Sequence, residues 1–146
     1  MEKDNRISDN KMKHIHAVAE YMYQHAEEHG LDKDEMYVLG LIHDIGYIRS
    51  HVGHLQNGGE IAEQVGLKEN LIYAIENHGM NLDELELVTP ELILLVRADL
   101  QISHTGEYVG YAERLKNAKE HYGAKSMQYK RVMGTVVYLQ KTGWYR

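Results

Sequence analysis

The sequence predicts an all-α fold, a compact single-domain bundle of six or seven helices. Three observations predict it: apolar residues recur at helical offsets, cap residues punctuate the chain, and strand-type alternation is almost absent from its 146 residues, which hold a single proline. The first helix carries Ile15, Val18, Ala19, Met22 and Ala26 on one stripe and is expected to end near Gly30. Asp32 with Glu35 resembles a capping box and opens a helix over about 33–47 that is apolar nearly all round and therefore central. Asn57 and Glu60 repeat the capping pattern for a short helix closing near Gly66, and residues 68–78 form another that stops at Gly79. Thr89 and Pro90 make an N-cap and N1 pair for an apolar, buried helix through Leu100. Two further helices, about 107–121 and 125–140, separate around Gly123 and carry most of the tyrosines. The whole of 1–146 is expected to be one domain without a linker, long enough to bury about two-thirds of the surface its unfolded chain exposes.

Composition narrows the chemistry. Sixteen basic residues against 22 acidic ones give a net charge of −6, which argues against bulk nucleic acid as a partner. No apolar run approaches the ~20 residues that cross a bilayer, and the N-terminus leads into no signal-type block, so the expectation is a cytoplasmic chain with no membrane partner. With no cysteine and ten histidines, any transition-metal site must combine imidazole nitrogen with carboxylate oxygen.

Two acids stand out by context. Asp44 follows His43 within the apolar stretch from Met36 to Gly46, and Asp99 lies in the apolar helix after Pro90. An ionised carboxylate in such surroundings costs several kcal/mol, roughly, unless paired, protonated or bound to a cation. Arg97 is two residues from Asp99 and points to a different side of the helix, and His43 is poorly placed to pair with its own neighbour. A cation shared by the two acids and two histidines satisfies both, and the mixed donor set suits a divalent first-row metal with positions open to water. Helix periodicity leaves His14 and His16 equally open as the upstream ligand, since they flank the apolar stripe on either side.

His14 stands four residues before Val18 and Ala19, His43 and Asp44 stand in Leu41 to Gly46, and Asp99 stands in Val96 to Leu100. In this order the chain resembles the HD-domain superfamily of metal-dependent phosphohydrolases over about residues 12–102, with C-terminal helices at about 105–140 outside the motif-bearing core. The resemblance selects His14 over His16 and implies an HD-domain-like fold with one metal held by His14, His43, Asp44 and Asp99. It further implies that His54 and His78 hold a second metal or the substrate phosphate. The cofactor would be one or two divalent ions per chain, Mn, Mg, Co, Ni, Zn or Fe. Asp44 is the expected proton acceptor, with His54 and His78 as its catalytic companions. Many members carry Lys where this chain has Tyr47, and a His pair where it has Asn77 and His78. Arg49 is the candidate to replace that Lys, and Arg49, Asn77, Arg97 or the C-terminal tyrosines are the candidate substrate-binding groups.

The implied activity is hydrolysis of a nucleotide or another small phosphate ester by a metal-activated water. The alternatives are a di-iron oxygenase using the same ligand order, and a non-catalytic nucleotide-sensing module, which would be expected to show damaged ligands. A small phosphorylated substrate is the expected partner, with a homodimer left open. His29, His51, His104 and His121 are expected to be surface or hydrogen-bonded core residues. Tyr108, Tyr111, Tyr122, Tyr129, Tyr138 and Trp144 are expected to pack in the core with their polar tips reaching the surface, the alternative being a ligand-pocket wall or a dimer contact.

Overall fold

The computed structural model describes residues 8–44 and 54–146, with side chains from residue 58 onward in the second stretch. Among the described residues there are seven α-helices: α1 (Asp9–His25), α2 (Lys33–Ile42), α3 (His54–Gln64), α4 (Glu69–Asn77), α5 (Pro90–Asp99), α6 (Tyr111–Tyr122) and α7 (Met127–Thr142). Two short 3₁₀ turns, Ala26–His29 and Leu82–Glu84, are also present among the described residues. None of these helices is long and apolar enough to cross a membrane.

Local chemistry accounts for most boundaries. Asp32 accepts from the Glu35 amide at 2.8 Å, Thr89 from Leu92 at 3.2 Å and Ser126 from Tyr129 at 3.1 Å, each satisfying an amide that the first helical turn leaves unpaired. Gly30, at φ +70°, closes the 3₁₀ turn after α1 in the left-handed region that a side chain disfavours.

Four expectations are corrected. The helix foreseen over 33–47 ends at Ile42, with His43 as its C-cap, because the His43 ring takes the Gly40 carbonyl at 2.7 Å. Among the described residues that helix is also one-sided: Met36 and Leu39 are buried, whereas Val38 is 41% exposed. The next helix begins at His54, so Asn57 lies inside it and is no N-cap; a capping pair is a local signal that a helix arriving from upstream overrides. The helix expected from 107 starts at Tyr111, after a turn in which Ile102 bridges Tyr108. In that turn the Ser103 hydroxyl accepts from the Thr105 and Glu107 amides at 3.3 and 3.0 Å.

The core forms where α1, α2, α4 and α5 meet. Val18, Met22, Met36, Leu39, Leu71, Ile75, Leu92 and Leu95 are all buried there. α5 is the central rod, since every residue from Leu94 to Ala98 is buried along with Leu92. Gly40 lets α1 and α2 touch: a Cβ at that position would stand 2.5 Å from the Ala19 Cα. α7 is tied to the loop after α4 by Thr135, whose hydroxyl donates to the Met80 carbonyl and accepts from the Leu82 amide, both at 3.1 Å. The tyrosines divide: Tyr111 is buried, Tyr138 packs half-buried against the core, and Tyr108 and Tyr122 are largely exposed.

Candidate metal centre

Three helix C-termini deliver polar groups to one place: α2 ends beside His43 and Asp44, α4 at His78, and α5 on Asp99. Each terminus carries roughly half a negative charge in unpaired carbonyls, so a carboxylate on the last residue of α5 is unfavourable there without a cation nearby. α1 adds His14 on its buried face, at the edge of the apolar stripe.

Each of these histidines is oriented by the main chain. His43 Nδ1–H donates to the Gly40 carbonyl and His78 Nδ1–H to the Ile75 carbonyl, both at 2.7 Å, and His14 Nδ1–H donates to Ser103 at 2.9 Å. A carbonyl can only accept, so the hydrogen resides on Nδ1 and the Nε2 atoms turn inward, the arrangement by which outer partners fix a metal-binding imidazole. His14 Nε2 lies 2.9 Å from Asp99 Oδ1, His43 Nε2 lies 3.1 Å from Asp44 Oδ2 and 3.5 Å from Asp99 Oδ1, and His78 Nε2 lies 3.4 Å from Asp44 Oδ1. One donor atom from each of His14, His43, Asp44 and Asp99 lies within 4.8 Å of all the others.

The electrostatics favour positive charge at this point. Burial alone would push the His43 imidazole down, yet the Asp44 and Asp99 carboxylates raise it to about 10. Burial alone would raise Asp44, but His43 and His78 hold it well below the usual carboxylate range; Asp99 is held low in the same way by His14 and His43. His43 Nε2 is buried with no hydrogen-bond partner among the described residues. A buried ring nitrogen directed between two carboxylates is where a cation can take the place of the imidazolium proton, so the residues present fit a divalent metal.

Residues 12–117 match the HD domain family. The chain belongs to that family. The HD-domain match thus runs past the motif-bearing core and into α6. Among similar proteins, ribonuclease Y of Pseudothermotoga lettingae is 38% identical over 93 residues, covering 62% of this chain and 18% of the relative. An uncharacterized protein of Methanocaldococcus jannaschii is 32% identical over 118 residues, covering 76% of this chain and 69% of the relative. Ribonuclease Y of Petrotoga mobilis is 30% identical over 126 residues, covering 81% of this chain and 23% of the relative. The chain therefore spans about a fifth of the length of the two ribonucleases. No solved structure matches it.

Of the residues expected at this HD-domain site, His14, His43, Asp44, His78 and Asp99 come together, while His16 is exposed on the other side of α1. The His54 side chain and all of Arg49, Tyr47 and His51 lie outside the described residues. Two substrate-binding candidates make their described hydrogen bonds elsewhere. Asn77 turns back on its own helix and donates to the Tyr73 carbonyl at 2.9 Å. Arg97 is buried away from the cluster, donating to Glu28 at 3.1 Å and His29 at 2.9 Å between the rings of Tyr21 and Trp144, because its place on α5 faces the 3₁₀ turn after α1.

The cluster opens into a cleft of about 780 Å³. Lys11, unremarked in the sequence, reaches Asp44 Oδ2 at 3.2 Å and offsets part of the carboxylate charge at the rim. Its signal was its position three residues before His14, on the same helix face. His104 and His121, expected to be bystanders, line the cleft with Arg114 and Arg131. Burial and the Arg114 guanidinium hold the His104 imidazole below its ordinary value.

Proposed function

We propose that the protein is a metal-dependent phosphohydrolase that cleaves a nucleotide or another small phosphate ester by attack of a metal-activated water. One observation carries this reading: four donors from three separate chain segments, α1, the end of α2 and the end of α5, converge at the floor of a cleft large enough for a nucleotide, with the buried His43 Nε2 directed between the two carboxylates. A divalent ion held by His14, His43, Asp44 and Asp99 would acidify a bound water and polarise a phosphoryl oxygen.

The chain's own groups supply the rest. Backbone bonds from the three Nδ1 atoms keep the imidazoles from turning, so the donor set is organised before substrate arrives. Asp44 directs one oxygen toward His43 and Lys11 and the other toward His78, so it can serve the metal while accepting the proton that the attacking water releases. His78 Nε2 and the Lys11 ammonium stand where non-bridging phosphoryl oxygens would need neutralising, and Lys11 thereby takes the part for which Arg49 was the sequence candidate.

The two relatives named ribonuclease Y support a second reading, in which the phosphoester belongs to RNA. One panel separates these readings. Purified protein is analysed for metal, then supplied with manganese, magnesium, cobalt or nickel and assayed on p-nitrophenyl phosphate, nucleotides and a short oligoribonucleotide. Phosphate release from the small esters is expected, and Asp44→Ala and Asp99→Ala should each strip the metal and abolish turnover with the far-ultraviolet helical signal intact. Cleavage of the oligoribonucleotide alone would move the substrate to RNA, and iron with oxidation of an organic substrate would replace the hydrolase by an oxygenase. Full metal and rate in both Asp variants would end the assignment.

A further inference from the structure

We propose that α6 and α7 form a second anion subsite beside the metal centre, and that the substrate carries at least two phosphoryl groups, one at the metal and a distal one on Arg114 and Arg131. The inference rests on the phosphohydrolase reading for the first of these groups and on different residues for the second.

The wall of the cleft opposite the metal ligands is built from two helix faces. Arg114, Asn117, Ala118 and His121 of α6 line it, and so do Gln128, Arg131, Val132 and Thr135 of α7. Both sets follow the same offsets of three, four and seven residues, which is one face of a helix. A face turned into a bundle is ordinarily apolar, because burial of hydrocarbon is what holds bundles together. Here the two faces that line the cleft instead present two guanidiniums, two carboxamides, an imidazole and the buried Thr135 hydroxyl, with Ala118 and Val132 as the aliphatic members and with His121 and Gln128 open to solvent.

These guanidiniums are not consumed by acids. Among the described residues neither Arg114 nor Arg131 has a carboxylate within ion-pair distance, although Glu120 lines the same cleft. Arg114 is half-buried, its Nη1 lies 3.4 Å from His104 Nε2, and its Nε is buried without a hydrogen-bond partner among the described residues. A guanidinium donates in a planar fork that matches phosphate oxygens, so two guanidiniums without a carboxylate partner in a polar cleft indicate a phosphate acceptor more directly than ammonium groups would.

Charge gives the same direction. The chain as a whole carries −6, so a long polyanion lying across its surface is disfavoured, yet this cleft gathers Lys11, Arg114 and Arg131 around a centre whose two carboxylates face the metal position. A compact polyanion that enters the cleft end-on, such as a nucleoside diphosphate, triphosphate or other pyrophosphate ester, fits that distribution.

The test holds the nucleoside constant and varies the number of phosphoryl groups. Titration calorimetry of the magnesium-saturated full chain is run with AMP and with α,β-methylene-ADP, whose bridging carbon resists cleavage, on the wild type, Arg114→Gln, Arg131→Gln and Arg114→Lys. Inorganic pyrophosphate serves as the arm without a nucleoside. We expect α,β-methylene-ADP to bind at least tenfold more tightly than AMP, and each Gln variant to shrink that ratio to threefold or less without weakening AMP. Arg114→Lys should restore part of it, which separates anion binding from a general loosening of α6. Equal affinities for the two nucleotides in the wild type, or an unchanged ratio in both Gln variants, would overturn the subsite. Hydrolysis of small esters without the affinity ratio would sink this inference alone. The ratio without any hydrolysis would retain the subsite as a binding site and sink the hydrolase reading.

Discussion

His14, His43 and His78 each give their Nδ1 hydrogen to a main-chain carbonyl and turn Nε2 toward Asp44 or Asp99. The consequence for His43 is measurable. Its folded-state pKa, about 10, lies above the ordinary 6.5, so its contribution to the stability of the metal-free protein is complete below pH 6.5 and is lost as pH rises through about 10. A metal ion replaces that proton, so loading should release it and flatten this part of the profile. Thermal denaturation of metal-free protein should therefore show a falling melting temperature between pH 6.5 and 10, a fall absent from the loaded protein. Calorimetric titration with metal at pH 8, in buffers of different ionisation enthalpy, should register proton release; a buffer-independent heat would contradict the assigned protonation.

Among the elements, the approach of α1 to α2 governs the site, because one brings His14 and the other His43 and Asp44. The contact depends on Gly40 lying against Ala19. Gly40→Val forces the two helices apart and should cost about 1–3 kcal/mol in overpacking, read as a lowered denaturant midpoint. Metal affinity should fall in the same variant, since the donors separate with the helices. A Val variant with native affinity would show that α1 and α2 do not set the cluster. The elements also show which signals the sequence carried clearly. Asp32, Thr89 and Pro90 were legible as caps because their hydrogen bonds are local. The end of α2 at Ile42 was not legible, because the ring of His43 competes for a backbone carbonyl and the apolar run gives no hint of it.

The whole molecule is held closed on the side away from the cleft by a polar knot. Arg97, only 1% exposed, donates to Glu28 and His29 while lying over the rings of Tyr21 and Trp144. Gln101 joins the same region by donating to Tyr21 and to the Arg146 carbonyl at 2.9 Å each, and by accepting from Tyr108 at 2.7 Å. This knot ties the C-terminal residues to α1 and α5. Arg97→Leu should cost about 2–3 kcal/mol, less than the loss of a fully buried pair, because Glu28 is 35% exposed and rehydrates. Metal content and kcat/KM should be unchanged. A selective loss of substrate affinity in that variant would return Arg97 to the role the sequence suggested for it.

The all-α architecture and the candidates His43, Asp44 and Asp99 were readable from the chain alone, because cap chemistry and the cost of burying a charge in apolar helices are written in short stretches, whereas His14 was chosen over His16 only through the family resemblance. The chain alone did not show that Arg97 and Asn77 bond elsewhere, nor that Lys11, Arg114 and Arg131 line the cleft, because the surroundings of each depend on what stands opposite it. Spacing along a helix states which residues share a face, and only the packing of α1, α5, α6 and α7 decided whether a face met the protein interior, solvent or the cleft. That is why ligands separated by 85 residues, such as His14 and Asp99, could be paired from pattern while the walls around them could not.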